Sequence, residues 1–155
     1  MPRPPRDQTA GYFHVTTRGN NRRDIFETAD DRRVFLHLLN RIARQQEWAL
    51  PAWCLMINHF HLVLETRHEN LSAGMQRLNG VYAQWFNAWH QRKDHLFGRR
   101  FWSKRIETET QLRDTAEYVV QNPVRAGFCA DPWDWRWSGG TLFRTPSWPD
   151  AADVH

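Results

Sequence analysis

Two short runs of strand-forming residues, 48–56 and 59–66, are separated only by Ile57-Asn58. Apolar and β-branched residues dominate both runs, which predicts two strands joined by a tight turn as an antiparallel hairpin. Strand side chains alternate, so in the second run Phe60, Leu62 and Leu64 share one face while His59 and His61 share the other. The first face asks for a core to be buried against it. The second carries two imidazoles with backbones about 6–7 Å apart.

The flanking segments supply partners for this hairpin. Tyr12-Phe13-His14-Val15-Thr16-Thr17 is β-branched and aromatic and ends in the turn signal Arg18-Gly19-Asn20-Asn21, so it predicts a first strand. Phe35, Leu38, Leu39 and Ile42 then recur at helical spacing, predicting a helix over about 30–46. Leu71, Met75, Leu78, Tyr82, Trp85, Phe86 and Trp89 mark one stripe of a longer helix, and a fourth strand is expected around 100–106. Thr108-x-x-Gln111 is a capping-box pattern for a last helix that Pro123 must close. The order β-α-β-β-α-β-α predicts an α+β protein: a ferredoxin-like antiparallel sheet with helices packed on one face, plus a C-terminal helix carrying Tyr118. The expected organisation is a flexible N-terminal arm (1–10), one domain (11–137) and a C-terminal tail (138–155).

Composition narrows the function classes. The 155-residue length suits one domain, and no run approaches the roughly 18 apolar residues of a membrane span. Two cysteines, Cys54 and Cys129, make neither a disulfide framework nor a thiolate metal site. Met-Pro-Arg-Pro-Pro-Arg at the start has no apolar signal core, so a cytoplasmic location is expected, with no membrane partner. A formal net charge of +4 and nine tryptophans favour a polyanion with planar groups to stack on.

The basic character is concentrated. Between positions 92 and 105 stand six cations and one acid, interleaved with Phe97, Phe101 and Trp102. Such mixing suits single-stranded or irregular nucleic acid, whose phosphates need charge and whose bases need stacking partners. Arg99, Arg100, Phe101, Trp102, Lys104 and Arg105 are therefore candidate DNA contacts, joined by Arg18, Asn20, Arg22 and Arg23 after the first strand and by Arg125 near the end. A merely solvated charged face is the competing reading.

His59 and His61 on one strand face are spaced to converge on a divalent ion, although such pairs also simply hydrogen-bond at a sheet surface. Glu65 shares their face further along. Tyr118 and Asn122, four apart, project from one side of a helix, presenting a phenol nucleophile and an amide ligand together. A tyrosine can attack a phosphodiester and conserve its bond energy as a phosphotyrosine ester. With a phenol pKa near 10, it gains from a neighbouring metal that polarises the phosphate. Packing of Tyr118 against Leu112 and Phe128 is the plain alternative, and Pro123 leaves the direction of Asn122 open.

Together these blocks resemble the single-tyrosine transposases of the histidine-hydrophobic-histidine superfamily, most closely the REP-associated tyrosine transposases. The carriers are Tyr12-Phe13-His14-Val15-Thr16-Thr17-Arg18-Gly19-Asn20, Met56-Ile57-Asn58-His59-Phe60-His61-Leu62-Val63, Phe97-Gly98-Arg99-Arg100-Phe101 and Tyr118-Val119-Val120-Gln121-Asn122-Pro123-Val124-Arg125-Ala126-Gly127. The resemblance implies a Mg²⁺ or Mn²⁺ ion on His59, His61 and Asn122, and Tyr118 as the nucleophile. It further implies cleavage of single-stranded DNA beside a palindromic hairpin, leaving a 5′-phosphotyrosine and a free 3′-OH. A monomer acting in cis is expected, with a homodimer as the alternative. Two departures stand out: Ile57 where relatives often carry proline, and glycines after Trp137-Ser138, which bear on C-terminal DNA contacts. A hairpin-binding protein that no longer cuts and a metal-dependent nuclease using water are the competing functions.

Overall fold

The computed structural model describes residues 9–143, so most of the arm and the tail beyond Phe143 lie outside the described residues. The first strand, β1 (Gly11–Arg18), is followed by a 3₁₀ turn (Asn20–Arg22) and helix α1 (Ala29–Gln46). The hairpin is β2 (Ala49–Leu55) and β3 (His59–Thr66), and α2 (Leu71–Trp89) and β4 (Trp102–Ile106) complete the α/β core. Helix α3 (Glu109–Val120), the short α4 (Asn122–Arg125) and a 3₁₀ turn (Pro132–Asp134) lead to β5 (Ser138–Gly139).

All pairings are antiparallel, in the order β4-β1-β3-β2-β5. This is the α+β architecture expected from the element order. The segment expected to begin the tail contributes a fifth strand, with Ser138 and Gly139 opposite Cys54 and Trp53. Trp135 secures this return by donating its indole N–H to the Leu55 carbonyl at 3.0 Å.

Helix boundaries follow their local signals. Thr28 caps α1 by accepting from the Asp31 N–H, and Asp31 returns the bond to the Thr28 N–H. Buried Asp31 also meets His90 at 2.9 Å, which ties the end of α2 to the start of α1. Thr108 caps α3 by accepting from the Gln111 N–H. The helix ends at Val120, and Pro123 sits in the first turn of α4, where its missing N–H costs nothing.

The helices cover both faces of the sheet, which corrects the one-face expectation. Phe13, Val15, Phe60, Leu62 and Leu64 bury one face against Phe35 and Leu39 of α1 and Met75, Leu78 and Tyr82 of α2. Ala52, Cys54, Val63 and Ile106 point the other way and pack under Ala116 and Val119 of α3. A strand apolar on successive residues must be covered on both sides, and 52–56 and 62–64 are such runs.

The β2–β3 turn, which starts the histidine strand, is clamped from several sides. Ile57 accepts from the N–H groups of Ile25 and Phe26, Asn58 accepts from Gly19, and Met56 accepts from Arg32 Nη2 at 2.6 Å. Gly19 has to be glycine because a Cβ there would lie 2.1 Å from the Arg23 carbonyl. The Arg32 guanidinium also lies 5.3 Å from the Phe26 ring centroid, 5.5 Å from Trp135 and 5.8 Å from Trp137. It thus joins α1, the turn and the C-terminal return. Arg32→Ala is expected to lower the unfolding free energy by about 2 kcal/mol, the scale of a charge-assisted hydrogen bond with cation–π contacts, as a shifted urea midpoint.

Candidate active site

The β1–β3 register places Thr16 opposite His61 and Arg18 opposite His59. His61 is buried and His59 half-buried, with ring centroids 5.1 Å apart. On the same face, β1 contributes a residue the sequence reading passed over. His14 Nε2 lies 2.9 Å from His61 Nδ1, and Thr16 Oγ1 lies 3.0 Å from the same atom. The signal was present, since His14 and Thr16 share a strand face, but the register that brings them to His61 was not.

Tyr118 completes the cluster from α3. It is 51% exposed and is not packed into the core, with its ring centroid 6.2 Å from His14 and 6.3 Å from His61. The rings meet within one chain. Arg125 folds back from α4, stacking its guanidinium 3.9 Å over the Tyr118 ring and donating Nη2 to the Tyr118 carbonyl at 2.6 Å. Asn122 begins α4 half-buried, and its Nδ2 donates to the Val119 carbonyl at 3.4 Å, which leaves the amide oxygen as the atom for a ligand.

Burial keeps the histidines neutral. It pushes His14 and His59 down to about 4 and His61 to about 2, with Lys104 adding to the effect at His14 and Arg18 at His59. His14, His59, Arg18 and Arg125 add further at His61. Arg18, Lys104 and Arg125 are exposed and surround the histidine face with positive charge. That is an environment for an anion such as phosphate.

The donor set fits a divalent ion. A ligating imidazole normally gives its other ring N–H to an acceptor, which leaves the lone pair for the metal. Each histidine has an atom in reach that can accept from its Nδ1–H: Asn58 Oδ1 at 2.7 Å for His59, and His14 Nε2 or Thr16 Oγ1 for His61. Among the described residues no group of three or more His, Cys, Asp or Glu side chains could hold an ion. Further ligands would come from neutral oxygens such as that of Asn122.

The expected DNA contacts divide by environment. Arg18, Arg22, Arg99, Arg100, Trp102 and Lys104 are exposed, and Trp102 stands edge-on to His14 with centroids 5.1 Å apart. Phe101 is a correction: at 5% exposure it belongs to the core and offers no face to a base. Arg105 turns toward the protein, 4.7 Å from the Phe13 ring centroid and donating to the Thr9 carbonyl at 2.6 Å. Arg23 is half-buried over Phe86, and the Asn20 N–H donates to the Leu96 carbonyl. These two shape the loop at the end of β1.

Residues 7–122 match the family model described as "Transposase IS200 like". The chain belongs to the IS200-like transposase family. The transposase is 23% identical over 128 residues to a REP-associated tyrosine transposase of Escherichia coli K12, covering 83% of this chain and 75% of that one. It resembles the solved structure of a REP-associated tyrosine transposase bound to a REP hairpin at a TM-score of 0.74 and 18% identity, over 95% of this chain and 96% of that one. A crystal structure of a candidate transposase from Deinococcus radiodurans matches at a TM-score of 0.50 and 18% identity, over 77% and 95% of the two chains. Among the described residues of the transposase, no helix is long and apolar enough to cross a membrane.

The lowered histidine pKa values make stability depend on pH. Between the ordinary 6.5 and about 4, the unfolded chain takes up protons that folded His14 and His59 refuse. Their contribution is therefore complete above pH 6.5 and is lost as pH falls through that window. The metal-free protein is expected to lose roughly 5 °C of Tm between pH 7 and pH 5 in calorimetry, and His59→Asn should flatten the slope.

Proposed function

We propose that this transposase nicks and rejoins single-stranded DNA beside a hairpin-forming palindrome, with Tyr118 as the nucleophile. The observation that carries the reading is the exposed Tyr118 ring, held by Arg125 against two imidazoles of its own chain. The REP-hairpin complex of the similar structure supports the choice of DNA. Membership of the REP-associated branch is part of the same proposal.

In the cleavage step Tyr118 Oη bonds to the scissile phosphorus as its proton leaves to solvent, and the P–O3′ bond breaks. The products are a 5′-phosphotyrosine and a 3′-oxygen that takes up a proton. Rejoining reverses the exchange, with an incoming 3′-OH displacing the tyrosine. His59, His61 and the Asn122 oxygen would hold a Mg²⁺ or Mn²⁺ ion, which supplies polarisation of the phosphate and charge stabilisation when bound. Arg125 fixes the direction of the phenol, while Arg18 and Lys104 attract the phosphate. Exposed Trp102 offers a stacking face beside the reacting position. One chain carries the whole constellation, so a monomer suffices for one cleavage.

The test uses hairpin DNA labelled on the 3′ side of the cut, with Mn²⁺ or Mg²⁺, on a denaturing gel. A protein-linked band that requires metal and vanishes in Tyr118→Phe is expected. Cutting without a linked band, unchanged in that variant, would point to water as the nucleophile. Binding without cutting would point to a pure hairpin-binding protein. Trp102→Ala is expected to weaken binding of a single-stranded flank about tenfold, the scale of one lost base stack, with little effect on blunt duplex.

A further inference from the structure

His14 stands at the centre of the site, on β1 opposite Val63 and two residues from Thr16. Its ring is packed edge-on by Trp102 and Tyr118 and lies 29° from the plane of His61, with the two imidazole centroids 5.2 Å apart. The close atoms are His14 Nε2 and His61 Nδ1, at 2.9 Å.

A neutral imidazole carries one N–H, so the side on which His61 holds its proton decides whether it can ligate through Nε2. With the proton on Nε2, no lone pair remains there for a cation. With the proton on Nδ1, the lone pair at Nε2 is available and Nδ1–H needs an acceptor. Thr16 cannot make this choice, because a hydroxyl donates as readily as it accepts. A His14 protonated on its own Nδ1 presents only a lone pair at Nε2 and can only accept. For His59 the amide oxygen of Asn58 does the same work, 2.7 Å from Nδ1.

We propose that His14 is a positioning residue for the metal site: by accepting the Nδ1–H of His61, it holds that ligand in the tautomer and ring orientation that present Nε2 to the cation. The inference rests on the metal reading of the histidine pair. His14 itself touches neither the cation nor the DNA in this role and acts through His61.

The experiment is a calorimetric titration of metal-free full-length protein with Mn²⁺, without DNA, on wild type, His14→Phe, His14→Gln and His61→Ala. His14→Phe keeps a flat ring and removes the acceptor, and it is expected to weaken Mn²⁺ binding at least tenfold, within the range for a lost outer partner. His14→Gln restores an acceptor oxygen and should recover most of the affinity. Mn²⁺ binding unchanged in His14→Phe overturns the positioning role while leaving the metal reading intact. Absence of binding in wild type, with His61→Ala no different, overturns both.

A second measurement does not depend on any variant folding. Long-range ¹H–¹⁵N correlation of histidine rings in the metal-free wild type is expected to show His61 protonated on Nδ1 and bare at Nε2. The opposite tautomer overturns the proposal.

Discussion

The antiparallel pairing of β1 with β3 is the constraint on which the rest of the molecule depends. Both are inner strands of the sheet, with β4 beyond β1 and β2 with β5 beyond β3. Their register sets Thr16 against His61 and Arg18 against His59. Because side chains alternate with period two, a slip of one residue would send Phe60 and Leu62 toward α3 and both histidines into the α1–α2 core. Burial of Phe13, Val15, Phe60, Leu62 and Leu64 on that side therefore fixes the chemical face as firmly as any contact within it.

The second face is divided between packing and function. Toward β2, small and apolar residues, Ala52, Cys54 and Val63, let α3 lie close on the sheet through Ala116 and Val119. Elsewhere on this face the His14 and His61 rings lie beside Tyr118, and Trp102 of β4 stands edge-on to His14. The helix that packs on one part of this face carries Tyr118, the proposed nucleophile, to the histidine cluster. Break and restart of the helix at Val120–Asn122 then lets Arg125 return over the Tyr118 ring.

Much of this was legible in the chain. The hairpin, the helical stripes, the Thr108 cap and the facing of His59 with His61 all follow from local periodicity. Tyr118 and Asn122 were marked by spacing and by resemblance to a family, which the match over 7–122 supports at the level of the family. Less legible was the division of the basic stretch. Arg99 and Arg100 stay on the surface, while Phe101, one position on, fills the core and Arg105 turns back onto Phe13. Composition marks a window, and only the packing of the loop and of the edge strand after it sorts its members.

What the sequence determined by itself is therefore periodic: which residues form strands or helices, and which side chains share a face. These are properties of neighbours along the chain, set by the backbone repeat. What only the tertiary structure decided is the meeting of residues far apart in sequence. It brought His14 to His61 across 47 positions, added β5 to the sheet and placed α3 opposite α1 and α2. Register and layer choice come from burying both apolar sheet faces at once, and no local pattern contains that global sum.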